Sequence, residues 1–354
     1  MRVLFVQQQP CVRALKYAVA LRGAYPTLAL GFAYQGKTLS EWYGAGDELF
    51  DRWWDLGARP TERLRAAVDD FRPDLIHSHN LPDSLTAIAV ELFQGRIPVV
   101  HDVHDLQSLR QTPYENGFPE PREPLELERV AIERSSALVT VSDELLDEIR
   151  ARYRPTAPIL TFSNYALRRD LPSVLPAIDR RNGHVARLVY QGTLSTNGGH
   201  YDLREIFREI VAEGLSLDVY PSRSVPEYAE LPGLRLHATL PPRQLLAALP
   251  AYDFGWAGFN SDLNGAHLDT CLPNKAYEYV GCGLPVLTLG HRALSRLVSD
   301  GGLGYSLATL DDLGGQLARL DVVEIRHQIA AARHALTVEA NIHRLWDLYQ
   351  RLLS

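Results

Sequence analysis

The chain has 354 residues, 46% hydrophobic and 22% charged, the profile of an ordinary globular protein with room for two domains. Its net charge of −7 is evenly shared: 20 basic against 24 acidic residues over 1–170, and 16 against 19 over the rest. That excludes the basic excess of a nucleic-acid binder and a strongly polybasic face for membrane attachment, leaving at most a weak peripheral association.

The start, Met1–Val6, turns polar at Gln7–Gln9, too soon for a signal peptide, and no apolar run could span a bilayer. A cytoplasmic protein is expected, at most at the inner face of the membrane. Cys11, Cys271 and Cys282 form neither a disulfide framework nor a zinc spacing, so reduced thiols are expected.

Short continuous apolar runs alternate with helical patterns from the start. Strands are expected at Val3–Val6, Leu28–Phe32, Leu75–His77, Pro98–His101, Ala137–Val141 and Ile159–Phe162, with helices at Glu62–Phe71 and Glu144–Tyr153. Runs without polar alternation are buried on both faces, which means a parallel sheet covered by helices. The rhythm breaks over 163–185, with Pro172, Pro176, Asn182 and Gly183, and a linker is placed at 166–185. Alternation restarts at Ala186–Gln191, Leu215–Tyr220, Leu234–His237, Tyr252–Ala257, Pro285–Leu289 and Leu303–Ser306. A helix over Val338–Leu353 closes the chain.

The fold class read from this is α/β, with domains at 1–165 and 186–336. Residues 337–354 are expected to pack back toward the first. Two such sheets frame a cleft at their strand C-termini, where open α/β sheets bind ligands.

The densest information lies in Leu272-Pro273-Asn274-Lys275-Ala276-Tyr277-Glu278-Tyr279-Val280-Gly281-Cys282-Gly283-Leu284-Pro285. Pro273 suits a first helical turn, and the helix start beyond it offers free N–H groups to a phosphate. Lys275 opposes the helix dipole there, a conflict that a bound anion would relieve. It is one of only three lysines among 36 basic residues. Glu278, three residues on, can face the same ligand and accept from both ribose hydroxyls of a nucleotide. An ordinary surface ion pair is the alternative.

This segment resembles the Pro-Asn-Lys-x-x-Glu-Tyr motif of bacterial family 4 glycosyltransferases, which have the GT-B fold of two Rossmann-like domains facing a central cleft. The resemblance implies that Asn274, Lys275 and Glu278 bind a UDP- or GDP-linked sugar. A first glutamate that contacts the donor sugar in relatives falls on Thr270 here. The strand-to-loop turn Tyr190–Gly199 resembles the family's phosphate loop and adds Gly192 and Thr193. Two family cations are replaced by Thr193 and Gly198, so Lys275 and backbone amides would have to carry the diphosphate, with an arginine such as Arg13 or Arg223 as a further candidate.

The resemblance continues in the first domain. His101-Asp102-Val103-His104-Asp105 ends a buried strand, and Asp74-Leu75-Ile76-His77-Ser78-His79-Asn80 ends another. It implies His104 as the active-site histidine, oriented by Asp105 or Asp102, with His79, Asn80 and Arg13 near the acceptor or cleft. A helix cap, a surface ion cluster and a metal chelate by His-x-x-His are the alternatives. Relatives imply no metal and no cofactor besides the donor substrate.

Trp42, Tyr43, Trp53 and Trp54 could stack on acceptor sugars, enter a membrane interface, or pack the first domain. The expected activity is retaining transfer of a sugar from a nucleotide diphosphate sugar to a hydroxyl of a glycan or lipid-linked acceptor, as in polysaccharide biosynthesis. A GT-B sugar-nucleotide 2-epimerase and a catalytically degenerate sugar-binding homologue are the rivals.

Overall fold

The computed structural model describes residues 1–110, 124–175 and 185–354. They form two compact units, one from residues 1–109, 124–164 and 338–354, the other from residues 110, 165–175 and 185–337.

In the first unit seven parallel strands run in chain order as β1 (Arg2–Gln7), β2 (Ala29–Tyr34), β3 (Arg52–Asp55), β4 (Leu75–His79), β5 (Val99–Val103), β6 (Ala137–Thr140) and β7 (Ile159–Thr161). Their order in the sheet is β3-β2-β1-β4-β5-β6-β7. Every residue of β4 and β5 is buried, as a sheet covered on both faces requires. Ser142 caps the helix Asp143–Arg152 by accepting from the Leu145 amide at 3.0 Å.

The closing helix Val338–Leu353 belongs to this unit and lies against the helix Val12–Ala24. It buries Val338, Ile342, Leu345, Leu348 and Tyr349, one stripe at helical spacing.

Strand β3 is not among the strands expected from sequence, where Trp53 and Trp54 are open to sugar stacking, a membrane interface or packing. The structure gives them to packing. Trp53 stacks on Phe32 at 5.1 Å, and its indole N–H donates to the Asp47 carbonyl at 2.9 Å. Trp54 meets Phe71 edge-on at 5.4 Å and donates to Asp70. A Cβ on Gly31 would lie 2.8 Å from Trp54, so the bare strand is what admits the ring.

The second unit holds six parallel strands: β8 (Arg187–Gly192), β9 (Ser216–Pro221), β10 (Leu234–Leu236), β11 (Phe254–Trp256), β12 (Val286–Leu289) and β13 (Gly304–Leu307). Their order is β10-β9-β8-β11-β12-β13. Of the segment read as a linker, Arg168–Asp170 forms a 3-10 turn, and 176–184 lie outside the described residues.

One contact in this unit sets the position of the motif helix, Asn274–Gly281. Tyr279 on it is fully buried, and its hydroxyl donates toward the Trp256 and Val189 carbonyls and accepts from the Gln191 amide at 2.9 Å. Its ring lies on Gly255, where an added Cβ would stand 2.3 Å from Cγ. Gly255→Ala is therefore expected to cost about 1–3 kcal/mol, since the ring is pinned and cannot yield. A urea midpoint unchanged from wild type would show that the helix is free to shift.

Candidate functional site

Each unit concentrates polar side chains at the C-terminal ends of its strands. In the first, strand alternation sends His77 and His79 to one face of β4, and the register pairs His79 with Asp102 on β5. Asp102 has no exposed surface. It accepts from Arg13 Nε at 3.0 Å on both oxygens and from the Tyr17 hydroxyl at 2.9 Å. His104 Nε2 stands 3.3 Å away, His77 Nε2 3.5 Å and His79 Nδ1 3.9 Å.

Burial alone would raise the Asp102 carboxyl, but the charges of Arg13 and His104 and the bonds from His104 and His77 outweigh it and hold it well below the usual range. Burial drives the two strand histidines the other way, His77 below its usual value and His79 well below it. Both are neutral at pH 7. His77 Nδ1 meets the Tyr349 hydroxyl at 2.5 Å, so the C-terminal helix joins the same network.

This geometry redistributes the roles expected from sequence. Arg13, a candidate for the acceptor or the phosphate, is only 4% exposed. Beyond Asp102 it donates to Asn164 at 3.1 Å and to the Phe162 carbonyl at 2.6 Å, so all three of its nitrogens are engaged inside the unit. Asn80 is a brace. Its side chain accepts from the His104 amide at 2.8 Å and donates to the Asp105 carbonyl at 2.6 Å, tying together the loops after β4 and β5.

His79 is fully buried against His104, with 3.2 Å between Nδ1 and Nε2. The carboxylate touching the His104 ring is that of Asp102, while Asp105 contributes its carbonyl to Asn80. His104, half-buried, is the member of the set that reaches solvent. His101 points to the opposite face of β5 and bonds Thr86, which bonds Ser78.

In the second unit β8 ends at Gly192, whose φ of 124° is open to glycine. A Cβ there would stand 3.4 Å from both Cε and Nζ of Lys275. Pro273 is the N-cap of the motif helix, one position earlier than the sequence reading has it, and Lys275 is the second helical residue.

The Lys275 ammonium lies 3.9 Å from the Tyr190 ring centroid and 5.5 Å from that of Phe259. The residue is 8% exposed and Nζ has no hydrogen-bond partner among the described residues. Burial pulls its pKa down to about 7, against a smaller upward pull from Glu278. Glu278 is half-buried, and its Oε2 accepts from Gln191 Nε2 at 2.9 Å.

Thr270, where relatives carry a glutamate, spends its hydroxyl on the His267 carbonyl at 2.8 Å and is 1% exposed. Thr193 supplies a carbonyl to the Tyr190 hydroxyl. The glycine loop is closed on itself, because the Gly198 amide donates to Asp202, the Gly199 amide donates to Asn197, and Arg204 holds Asp202.

Sequence reasoning missed Gln191, Tyr190 and Phe259 here, and Tyr17 and Tyr349 in the first unit. A glutamine breaking the otherwise apolar run Leu188–Tyr190 just before a glycine is the one signal that could have found any of them.

Residues 13–165 match the family described as "Glycosyl transferase 4-like domain". No sequence among curated proteins matches the chain significantly. Solved structures match over nearly its whole length. The chain superposes on sucrose-phosphate synthase from Thermosynechococcus elongatus with a TM-score of 0.70 at 14% identity, covering 99% of this chain and 98% of that one.

A glycosyltransferase from Rickettsia africae gives 0.69 at 9% identity, covering 100% and 98%. UDP-GlcNAc 2-epimerase from Neisseria meningitidis, bound to UDP-GlcNAc, gives 0.59 at 14%, covering all of both chains. The chain thus has the GT-B fold, carries a glycosyl transferase 4-like domain over residues 13–165, and resembles the family 4 glycosyltransferases of that fold.

Proposed function

We propose that the protein transfers a sugar from a nucleotide diphosphate sugar, UDP- or GDP-linked, to a hydroxyl of a glycan or lipid-linked acceptor, with retention at the anomeric carbon. One observation supports this above the others: a buried ammonium, Lys275 Nζ, without a hydrogen-bond partner among the described residues, at a helix start beside Gly192. A cation kept dry without a hydrogen-bonded partner is costly, and an anion at the helix N-terminus would offset that cost.

In the proposed reaction Lys275 and the helix start stabilise charge as the diphosphate departs. The bond from the anomeric carbon to the phosphate oxygen breaks with its electrons on that oxygen. The acceptor oxygen then bonds the same carbon from the same face and gives up its proton to the departing diphosphate. Glu278, already aligned by Gln191, grips the ribose. His104 is assigned to the acceptor hydroxyl, and no metal ion takes part.

Glu278→Ala tests the ribose assignment. Losing two hydrogen bonds to a charged acceptor is expected to weaken nucleoside diphosphate binding by roughly 100-fold or more, in a protein that still folds, its melting temperature lowered only by the loss of the Gln191 bond. Intact binding would refute that role. If calorimetry detects no binding of uridine, guanosine or thymidine diphosphate, the reading fails altogether. The epimerase remains the rival, because its representative shares the fold over the full chain. Nucleotide release that requires an added acceptor separates transfer from epimerisation.

A further inference from the structure

Three side chains in the first unit, outside the proposed diphosphate site, converge in a way that hydrogen bonding alone satisfies poorly. Cys11 Sγ and one ring nitrogen from each of His79 and His104 lie within 4.8 Å of one another. The two imidazole nitrogens, His79 Nδ1 and His104 Nε2, face each other at 3.2 Å. Asp102 Oδ1 lies 3.3 Å from the same His104 nitrogen.

Suppose the proton sits on His79 Nδ1. The lone pair of His104 Nε2 then confronts a carboxylate. If it sits on His104 Nε2 instead, the other nitrogen of His79, Nε2, must carry that ring's proton. That atom is buried without a partner among the described residues, a loss of about 1–3 kcal/mol that is the same whether Nδ1 is bare or holds a metal. A cation between the two rings would take up both facing lone pairs and stand opposite the Asp102 carboxylate.

We propose that Cys11, His79 and His104 bind one thiophilic divalent cation of the zinc type. Two imidazole nitrogens on one tetrahedral zinc stand about 3.3 Å apart, given Zn–N bonds of about 2.0–2.1 Å. The observed 3.2 Å needs little adjustment. One thiolate and two imidazoles form a borderline-soft donor set that favours zinc over magnesium or calcium. Asp102, held by Arg13 and Tyr17, has Oδ1 3.3 Å from the ligating nitrogen of His104 and so sets a negative charge beside the cation.

Cys11 is itself fixed. Its amide donates to Gln7 Oε1 at 3.0 Å, and its sulfur caps the helix Val12–Ala24 at the Ala14 amide. Binding exchanges the thiol proton for the metal. Cys11 and His104 are only half-buried, which leaves a route in from solvent. Because His104 is assigned to the acceptor hydroxyl, occupancy would also block transfer. That consequence rests on the proposed function, whereas the binding does not.

Cobalt(II) is the probe, since its thiolate-to-metal absorption in the near ultraviolet reports a Co–S bond directly. The full-length protein, reduced and freed of metal, is expected to take up one cobalt with that band, and added zinc should abolish it. Cys11→Ser should lose the band and bind at least about tenfold more weakly, Cys271→Ser should keep it, and His104→Gln should weaken binding without unfolding. Absence of the band in the wild type, or its survival in Cys11→Ser, would overturn the proposal. Folding of each variant is read independently from its thermal melt.

Discussion

Lys275→Met is expected to give a protein that is more stable than wild type and nearly inactive. The native state holds the Lys275 amine in a dry site where its pKa falls to about 7, whereas in the unfolded chain it sits near its ordinary value. Between about pH 7 and 10 the unfolded state therefore binds more protons, and the wild type gains stability as pH rises. Below pH 7 the full cost of the desolvated charge remains. Methionine matches the stem in length and has no charge to desolvate, so at pH 7 the substitution should add on the order of 2–4 kcal/mol. The gain should shrink toward pH 10.

Catalysis should move the opposite way. An ammonium aimed at the charge that grows on a departing phosphate oxygen is worth about 10²–10³ in turnover. Stability gained with activity lost is the signature of a residue kept for function.

The same amine makes nucleotide affinity depend on pH with a definite sign. The cationic form binds the diphosphate, and binding raises the amine's pKa. Above pH 7 affinity should fall about tenfold per pH unit, as each bound nucleotide must bring a proton with it. The nucleotide's terminal phosphate, with a pKa of about 6, is already fully charged there and adds no slope. Calorimetry in two buffers of different ionisation enthalpy reads the proton uptake directly. A flat affinity profile in the wild type, or an equal slope in Lys275→Met, would remove Lys275 from the phosphate site.

What was legible in the sequence follows from how each feature is encoded. Twelve of the thirteen strands among the described residues overlap runs picked out in the sequence, and where a strand is buried on both faces, as in β1 and β6, the mark is a stretch of apolar residues. Strand β3 escaped because an edge strand of four residues with two tryptophans shows no such run. The helix at Asn274 was legible because its chemistry is local: proline, lysine and glutamate within six residues.

The roles of Arg13 and Asn80 were not legible. Arg13 meets Asp102 across 89 positions of chain, and Asn80 reaches the loop holding His104 and Asp105. Such pairings are set by strand order, β1 beside β4 beside β5, which no local pattern reports. Likewise nothing in a lone Tyr349 near the C-terminus announces its bond to His77, 272 residues away.

Asp102→Asn should be the most damaging conservative change in the first unit. Asparagine keeps the shape of the side chain, so no cavity opens, but it removes the charge facing a guanidinium that is 4% exposed. Arg13 cannot lose its proton and cannot reach water without dragging its bonds to Asn164 and Phe162. Removing one partner of a buried pair costs about 3–5 kcal/mol. Much of that is the penalty of the orphaned cation, not the worth of the pair, and this distinguishes the mechanism from simple loss of a hydrogen bond.

Adding Arg13→Met to Asp102→Asn removes the orphan and should restore more than half of the lost stability, even though a second native residue is gone. The acid limb provides an independent check. Asp102 is held well below its unfolded value, so its contribution is present above about pH 4 and vanishes only as pH falls through the lower native value. His77 and His79, neutral when folded, begin to destabilise the wild type earlier, as pH drops below about 6.5 and the unfolded chain takes up their protons. Asp102→Asn should keep the histidine limb and lose the carboxylate limb. Urea titrations from pH 3 to 8 resolve the two, and a variant within 1 kcal/mol of wild type at pH 7 would mean that the Arg13 charge is balanced by something other than Asp102.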